Sequence, residues 1–183
     1  MLQPRTRRRL SNQVGAGMVE VLIALVISAF ALLGLAGMQV NSMRYQKTAN
    51  FRALATQYAS EMADRIRGNL AGARGGSYNY GAETYTSSPP PAPSSTPCDG
   101  SNRTGCTPAL AAVQDLYAWR LSLNQGMSGG WGEVTGDVRN GFVIRVYFQE
   151  PNNESTAVDP NCRGAALGTG NKDVRCFVTV FYP

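Results

Sequence analysis

Histidine is absent from all 183 residues. That absence removes Ser-His and Cys-His catalysis, and with them the commonest metal-ligating side chain. No phosphate-binding glycine loop is present, and the acidic residues form no recognisable catalytic pair. An enzyme is therefore not expected, nor is a cofactor or a small-molecule substrate. Cysteine is scarce: Cys98, Cys106, Cys162 and Cys176 are the four, and no CxxC knuckle supports a zinc site among them. Two further gaps concern charge. No acidic residue precedes Glu20, and no residue of either sign lies between Val21 and Met38.

What fills the charge-free gap is the run VLIALVISAFALLGLAGM. Eighteen such residues in a helix, at ~1.5 Å each, are about enough to cross a bilayer core. Arg5, Arg7, Arg8 and Arg9 stand before it, and positive flanks stay in the cytoplasm. The N-terminus is thus expected inside and the remainder of the chain outside. The run is longer than a secretory signal core and no small-x-small exit site ends it, so a cut is expected before the run, on the cytoplasmic face. Glu20 lies at its start. At the centre of a membrane helix a carboxylate costs roughly 2.5–3.5 kcal/mol. At the end it costs less, but it still requires a partner or marks the interface where the helix begins.

Gly15, followed by Ala16-Gly17-Met18-Val19-Glu20-Val21-Leu22, resembles the processing site of the type IV prepilins. The resemblance implies cleavage between Gly15 and Ala16 by a prepilin peptidase, with methylation of the new Ala16 amine. It also implies that Glu20, fifth residue of the mature chain, is an assembly contact. A cut after Gly17 would leave Glu20 third, so Gly15 fits better. Ala16 stands where the family usually shows Phe or Met.

The formal charge of +5 does not point to nucleic acid. Removing the four leader arginines from seventeen basic residues leaves thirteen against twelve acidic ones, a net +1 without an evident basic patch. Outside the cytoplasm the cysteines are expected to pair. Short-loop closure favours Cys98–Cys106 and Cys162–Cys176, with crossings such as Cys98–Cys162 as the alternative.

Beyond Met38 the helical pattern turns one-sided. Val40, Met43, Phe51, Leu54, Ala55, Tyr58, Met62 and Ile66 recur mostly at three and four, a stripe for packing on a soluble domain. Both segments together predict one helix of about fifty residues, roughly 80 Å long. Gly34 and Gly37 interrupt its middle, either for close helix packing or as a soft point. Residues 68–85 predict a Gly- and Tyr-rich loop, and Thr86–Pro97 (TSSPPPAPSSTP) an extended proline-rich segment. Thr107-Pro108 is a good helix start, with Val113, Leu116, Tyr117, Trp119 and Leu123 available for burial. Asp115 and Trp119 share a face, and Asp115 lacks a catalytic partner. The period then changes to two. Residues 132–138 predict a weak strand, 141–150 and 174–182 strong ones, with a hairpin turn at Arg139-Asn140-Gly141.

The expected class is α+β. A 1–15 leader precedes a 16–38 membrane or filament-core half and a 39–68 amphipathic half of one long helix. A 69–107 loop and a 108–183 unit of short helix and antiparallel sheet follow. This order is similar to the pilin fold. Gly34…Met38-Gln39, the stretch Ala59–Arg67 and Asp115…Trp119 look like the PilV type of minor pilin, the type IV pilus modification protein. The resemblance implies a structural subunit that helps prime pilus assembly in a tip complex with other minor pilins and the major pilin. It places the precursor in the inner membrane, with its C-terminal domain periplasmic before it enters the pilus. A minor pseudopilin of a type II secretion system would carry the same anchor. A tip adhesin or DNA-uptake subunit would use the Tyr78/Tyr80/Tyr85 loop or residues 151–173.

Overall fold

A computed structural model describes residues 17–81, 83–94, 98, 105–150, 158–167 and 171–183. Its elements in chain order are α1 (Met18–Gly68), α2 (Leu70–Arg74), α3 (Pro108–Gly126), β1 (Trp131–Asp137), β2 (Gly141–Gln149), α4 (Gly164–Leu167) and β3 (Val174–Phe181). The class is α+β, with an antiparallel sheet of order β1-β2-β3. The chain divides into two compact units between Tyr45 and Gln46, and α1 contributes to both.

In the first unit, α1 runs through Gly34 and Gly37 without a break, and a Cβ added at either would meet no atom within 4 Å. No contact within the described chain therefore requires glycine there. In the second unit α1 buries one stripe: Phe51, Ala55, Ala59, Met62, Ala63 and Ile66. The apolar stripe predicted from Val40 begins later than expected, since Val40 and Met43 are exposed. Periodicity alone does not reveal where a helix face acquires something to pack against.

What covers that stripe is the sheet face of Phe142, Ile144, Val146 and Phe148, together with Leu116, Trp119 and Leu123 of α3. Strand alternation places the four β2 residues on one side. Phe51 meets Phe148 edge-on at 6.1 Å between centroids. Trp119 is fully buried and donates its indole N–H to the Tyr58 carbonyl at 2.8 Å, which locks α3 onto α1. The close approach of α3 to β1 depends on Gly132, where a Cβ would run into Trp119 and Leu123.

Helix α3 starts as its sequence predicts. Thr107 Oγ1 accepts from the Leu110 amide at 3.2 Å, and Pro108 occupies the first turn, where no N–H is needed. Between β1 and β2, Asp137 Oδ1 accepts from the amides of Arg139 and Asn140, and Gly141 closes the turn at φ 87°. The segment expected to be a plain loop over 68–85 contains the five-residue α2. Asn69 makes it: its Oδ1 caps Gly72 N at 3.1 Å, while its Nδ2 donates to Pro108 O at 2.7 Å. A single helical turn is too short to show a periodicity.

The opposite sheet face is covered too. Tyr85, Trp131, Tyr147 and Val174 pack with Cys162, Ala166, Leu167 and Cys176. Trp131 and Tyr147 meet edge-to-face at 4.8 Å between centroids. Disulfides join Cys98 to Cys106 and Cys162 to Cys176; the second holds the 158–167 segment against β3.

Candidate functional site

Glu20 sits in the first turn of α1, and the helix begins just before it. The Gly17 carbonyl accepts from Glu20 N at 2.9 Å and from Val21 N at 3.3 Å. A carboxylate suits a helix N-terminus, where the free backbone N–H groups present partial positive charge. Glu20 is exposed, and the next charged residue along the helix is Arg44. The helix is long and apolar enough to cross a membrane, and the apolar window that qualifies it buries none of its residues within the chain. Phe30 is 71% exposed and Leu33 70%. Ser28, the hydroxyl in the middle of the run, donates to the Ala24 carbonyl at 2.7 Å, so its hydrogen bond is made within the helix. Exposed apolar surface of this extent marks a site for lipid or for partner helices. Gly15 and Ala16 lie outside the described residues.

Three polar clusters brace the second unit. In the first, Tyr78 Oη donates to Asp115 Oδ2 at 2.5 Å, and Arg65 spans Asp115 Oδ1 at 3.2 Å and Glu61 Oε1 at 2.6 Å. Burial, then the bond to Asp115, raises the Tyr78 pKa. Asp115 thus ties α3 to α1 and to the tyrosine-rich segment.

The second cluster is only partly legible in the sequence. Glu133 on β1 is fully buried. Its carboxylate accepts from Arg145 Nη1 at 2.9 Å and from Arg163 Nε at 2.9 and 3.1 Å. Arg163 also donates to the Gly81 carbonyl. The bond to Glu133 raises the Arg163 pKa against an opposing effect of burial.

In the third, Arg120 of α3 is buried between the rings of Tyr80 and Trp131, 4.7 Å from each centroid. It donates Nη1 to Glu83 Oε2 at 2.8 Å. Burial would raise the Glu83 pKa, but hydrogen bonds from Tyr80 and Arg120 outweigh it and lower the value.

These clusters change what residues 78–85 present. Tyr78 and Tyr85 are buried and Tyr80 is half-buried, so a contact surface made of the three tyrosines is not on offer. In the other proposed contact loop, residues 151–157 and 168–170 lie outside the described residues. Gly126-Met127-Ser128-Gly129-Gly130 matches a GxSxG pattern by letter. It leads from helix α3 into β1, the reverse of the strand-to-helix elbow that exposes a nucleophile, and the chain holds no histidine to activate Ser128. Among the described residues no group of His, Cys, Asp and Glu could hold a metal ion.

Burial also sets an alkaline limit. It pushes Tyr85 up to about 12, aided by the charge of Asp173, and Tyr147 up to about 12, aided by Glu133. A folded-state pKa above the unfolded one contributes stability that is full below about pH 10, the unfolded tyrosine range, and is lost as pH rises through about 12. Thermal midpoints are expected to fall across that window, with tyrosinate absorbance appearing late and together with unfolding. Tyr147→Phe is expected to make the fall shallower. Complete ionisation near the ordinary tyrosine pKa in a still-folded chain would contradict it.

Comparisons with protein-family models, with curated proteins and with solved structures returned no match.

Proposed function

We propose that the chain is a minor pilin of a type IV pilus, a structural subunit that helps start the fibre. The observation that carries this proposal is the carboxylate of Glu20 in the first turn of a helix whose apolar run from Val21 to Met38 is exposed throughout. An α+β body in which the later part of the same helix packs on an antiparallel sheet is compatible with a pilin-like layout. The precursor sits in the inner membrane with its arginines inside. A prepilin peptidase removes residues 1–15 and methylates the Ala16 amine. The new ammonium of one subunit and the Glu20 carboxylate of its neighbour neutralise each other in the apolar fibre core. Only one stagger brings the two charges together, so the pair selects axial register. Partners are other minor pilins and the major pilin.

The first test is processing. Co-expression of the full chain with a prepilin peptidase is expected to yield a protein that begins at Ala16 and carries one methyl group, by intact mass and N-terminal sequencing. Gly15→Leu is expected to leave the leader in place. Cleavage at another bond, or none, would remove the basis of the proposal. A type II pseudopilin would share this chemistry, and genetic neighbourhood separates the two.

A further inference from the structure

We propose that the outer edge of β3 takes an extended segment of a second polypeptide as a further strand of the sheet. One bond just before β3 fixes which way its backbone groups point. Glu150 donates its amide to the Asp173 carbonyl at 3.0 Å, so Asp173 turns toward β2. In an antiparallel pair the inward residues alternate, which turns Arg175, Phe177, Thr179 and Phe181 toward β2 as well. Val174, Cys176, Val178 and Val180 therefore present their N–H and C=O groups on the outer edge. Two side-chain bonds bear this out. The Cys176 amide donates to Asp159 Oδ2 at 3.1 Å, and the Val174 carbonyl accepts from Arg175 Nη1 at 3.0 Å.

The two edges of the sheet are finished differently. On β1, Tyr80 and Val134 exchange both backbone bonds, at 2.6 and 3.1 Å, so the chain covers that edge itself. On β3 the cover stops at Cys176. Among the described residues, nothing bonds to the outward N–H and C=O groups of Val178 and Val180. Sheet edges are ordinarily guarded by charge, proline or a bulge. From Cys176 to Tyr182 the chain reads CFVTVFY, with no charge and no proline, and the pairing of β3 with β2 runs without a bulge. Val180 is 54% exposed and Tyr182 67%.

Whatever covers this edge must repeat a donor and an acceptor every two residues, about 6.6 Å apart, which is the pattern of extended backbone. A groove beside the edge gives its side chains a place. The groove measures about 190 Å³, with Thr56, Ala59, Ser60 and Ala63 of α1 on one wall and Thr179 of β3 on the other. The helix residues are all short, so they leave room for every second side chain of an added strand. Asp64 and Arg67 also line the groove, but they are paired with each other at 2.9 Å, so uncharged β-branched side chains such as Val or Thr suit it best. Strand β3 of a second copy does not meet this need, because its Phe177 and Phe181 are already packed on its own core. A free extended segment does.

The test uses the full chain in non-ionic detergent micelles, isotope-labelled for amide resonances, with the peptide acetyl-Lys-Thr-Val-Thr-Val-Thr-Lys-amide as probe. Saturable shifts of the Val178 and Val180 amides are expected, with hydrogen exchange there slowed at least about tenfold and the Val134 amide unchanged. The same peptide N-methylated at its central residues keeps its side chains but has no ladder donors, and is expected to bind at least about tenfold more weakly. Val180→Pro removes one outward donor at a position where proline is tolerated, since β2 loses no bond. It is expected to stay folded by circular dichroism and to show no peptide protection at Val178. Should it not fold, the N-methylated peptide still decides. Absence of protection at both valines with millimolar peptide would overturn the proposal, as would equal binding of the N-methylated peptide. Protection that needs no peptide and rises with protein concentration would assign the edge to a second copy and overturn it too. None of these results depends on whether the chain enters a pilus.

Discussion

A chain carrying Glu20→Ala is expected to insert and lose its leader as the parent does, yet to enter fibres on the order of a hundredfold less often. The factor follows from the proposed pairing. Two unit charges about 4 Å apart at an effective dielectric near 20 attract by about 4 kcal/mol, from which desolvation subtracts a part. Insertion should not suffer, since a carboxylate in the first turn of the helix is at best tolerated by lipid, and alanine is not penalised there. Fibre counts in a strain whose only copy is the variant, set beside the intact mass of the variant from membranes, separate assembly from processing. Normal piliation would sink the pairing. A variant that is neither inserted nor processed would show that Glu20 acts earlier than assembly.

The largest expected loss of stability lies elsewhere. Glu133→Ala should cost about 3–5 kcal/mol, the usual penalty for removing one partner of a buried ion cluster. Glu133 is fully buried, and its loss leaves Arg145 and Arg163 facing each other without the carboxylate that holds them. Arg145→Met should cost less, because Arg163 still serves the carboxylate and the Arg145 side chain is 23% exposed. Urea unfolding of the three chains gives the comparison. A Glu133→Ala chain within about 1 kcal/mol of the parent would mean that the cluster contributes almost nothing net, as isosteric replacements of some buried ion clusters do.

Glu133 also illustrates where the sequence was readable. The strands were: Phe142, Ile144, Val146 and Phe148 alternate, and they do line one face. The hairpin turn ending at Gly141 was marked by its residues, and continuing the ladder back from Asp137↔Gly141 pairs Glu133 with Arg145. That ion pair could therefore have been found by following the register. Arg163 could not. It arrives from 30 residues away on a segment with no period, held in place by a disulfide. The second sheet face was hidden for the same reason. Tyr147 alternates with Arg145 and Gln149 and looks like a solvent-facing residue, but the 158–167 segment covers it. The tyrosines at 78 and 85 misled in the opposite sense, because a glycine-rich context suggests exposure, whereas their hydroxyls reach Asp115 and the Gly129 carbonyl. At the helix N-terminus the local pattern carries the whole inference: an arginine cluster, a glycine, a carboxylate and an apolar run.

Cys162 is bonded to Cys176, and the next residue along the chain is Arg163, the second counter-charge of Glu133. Disulfides persist where thiols are oxidised and are reduced in the cytosol. The charge balance inside the sheet is therefore tied to the redox state of the compartment. With the bridge open, the segment carrying Arg163 loses its tether to β3, and the buried anion keeps Arg145 as its anchored cation. The second arginine of the cluster is thus secured only once the bridge has formed. A reduced chain would keep the buried carboxylate paired with Arg145 but lose the second arginine that the bridge holds beside it.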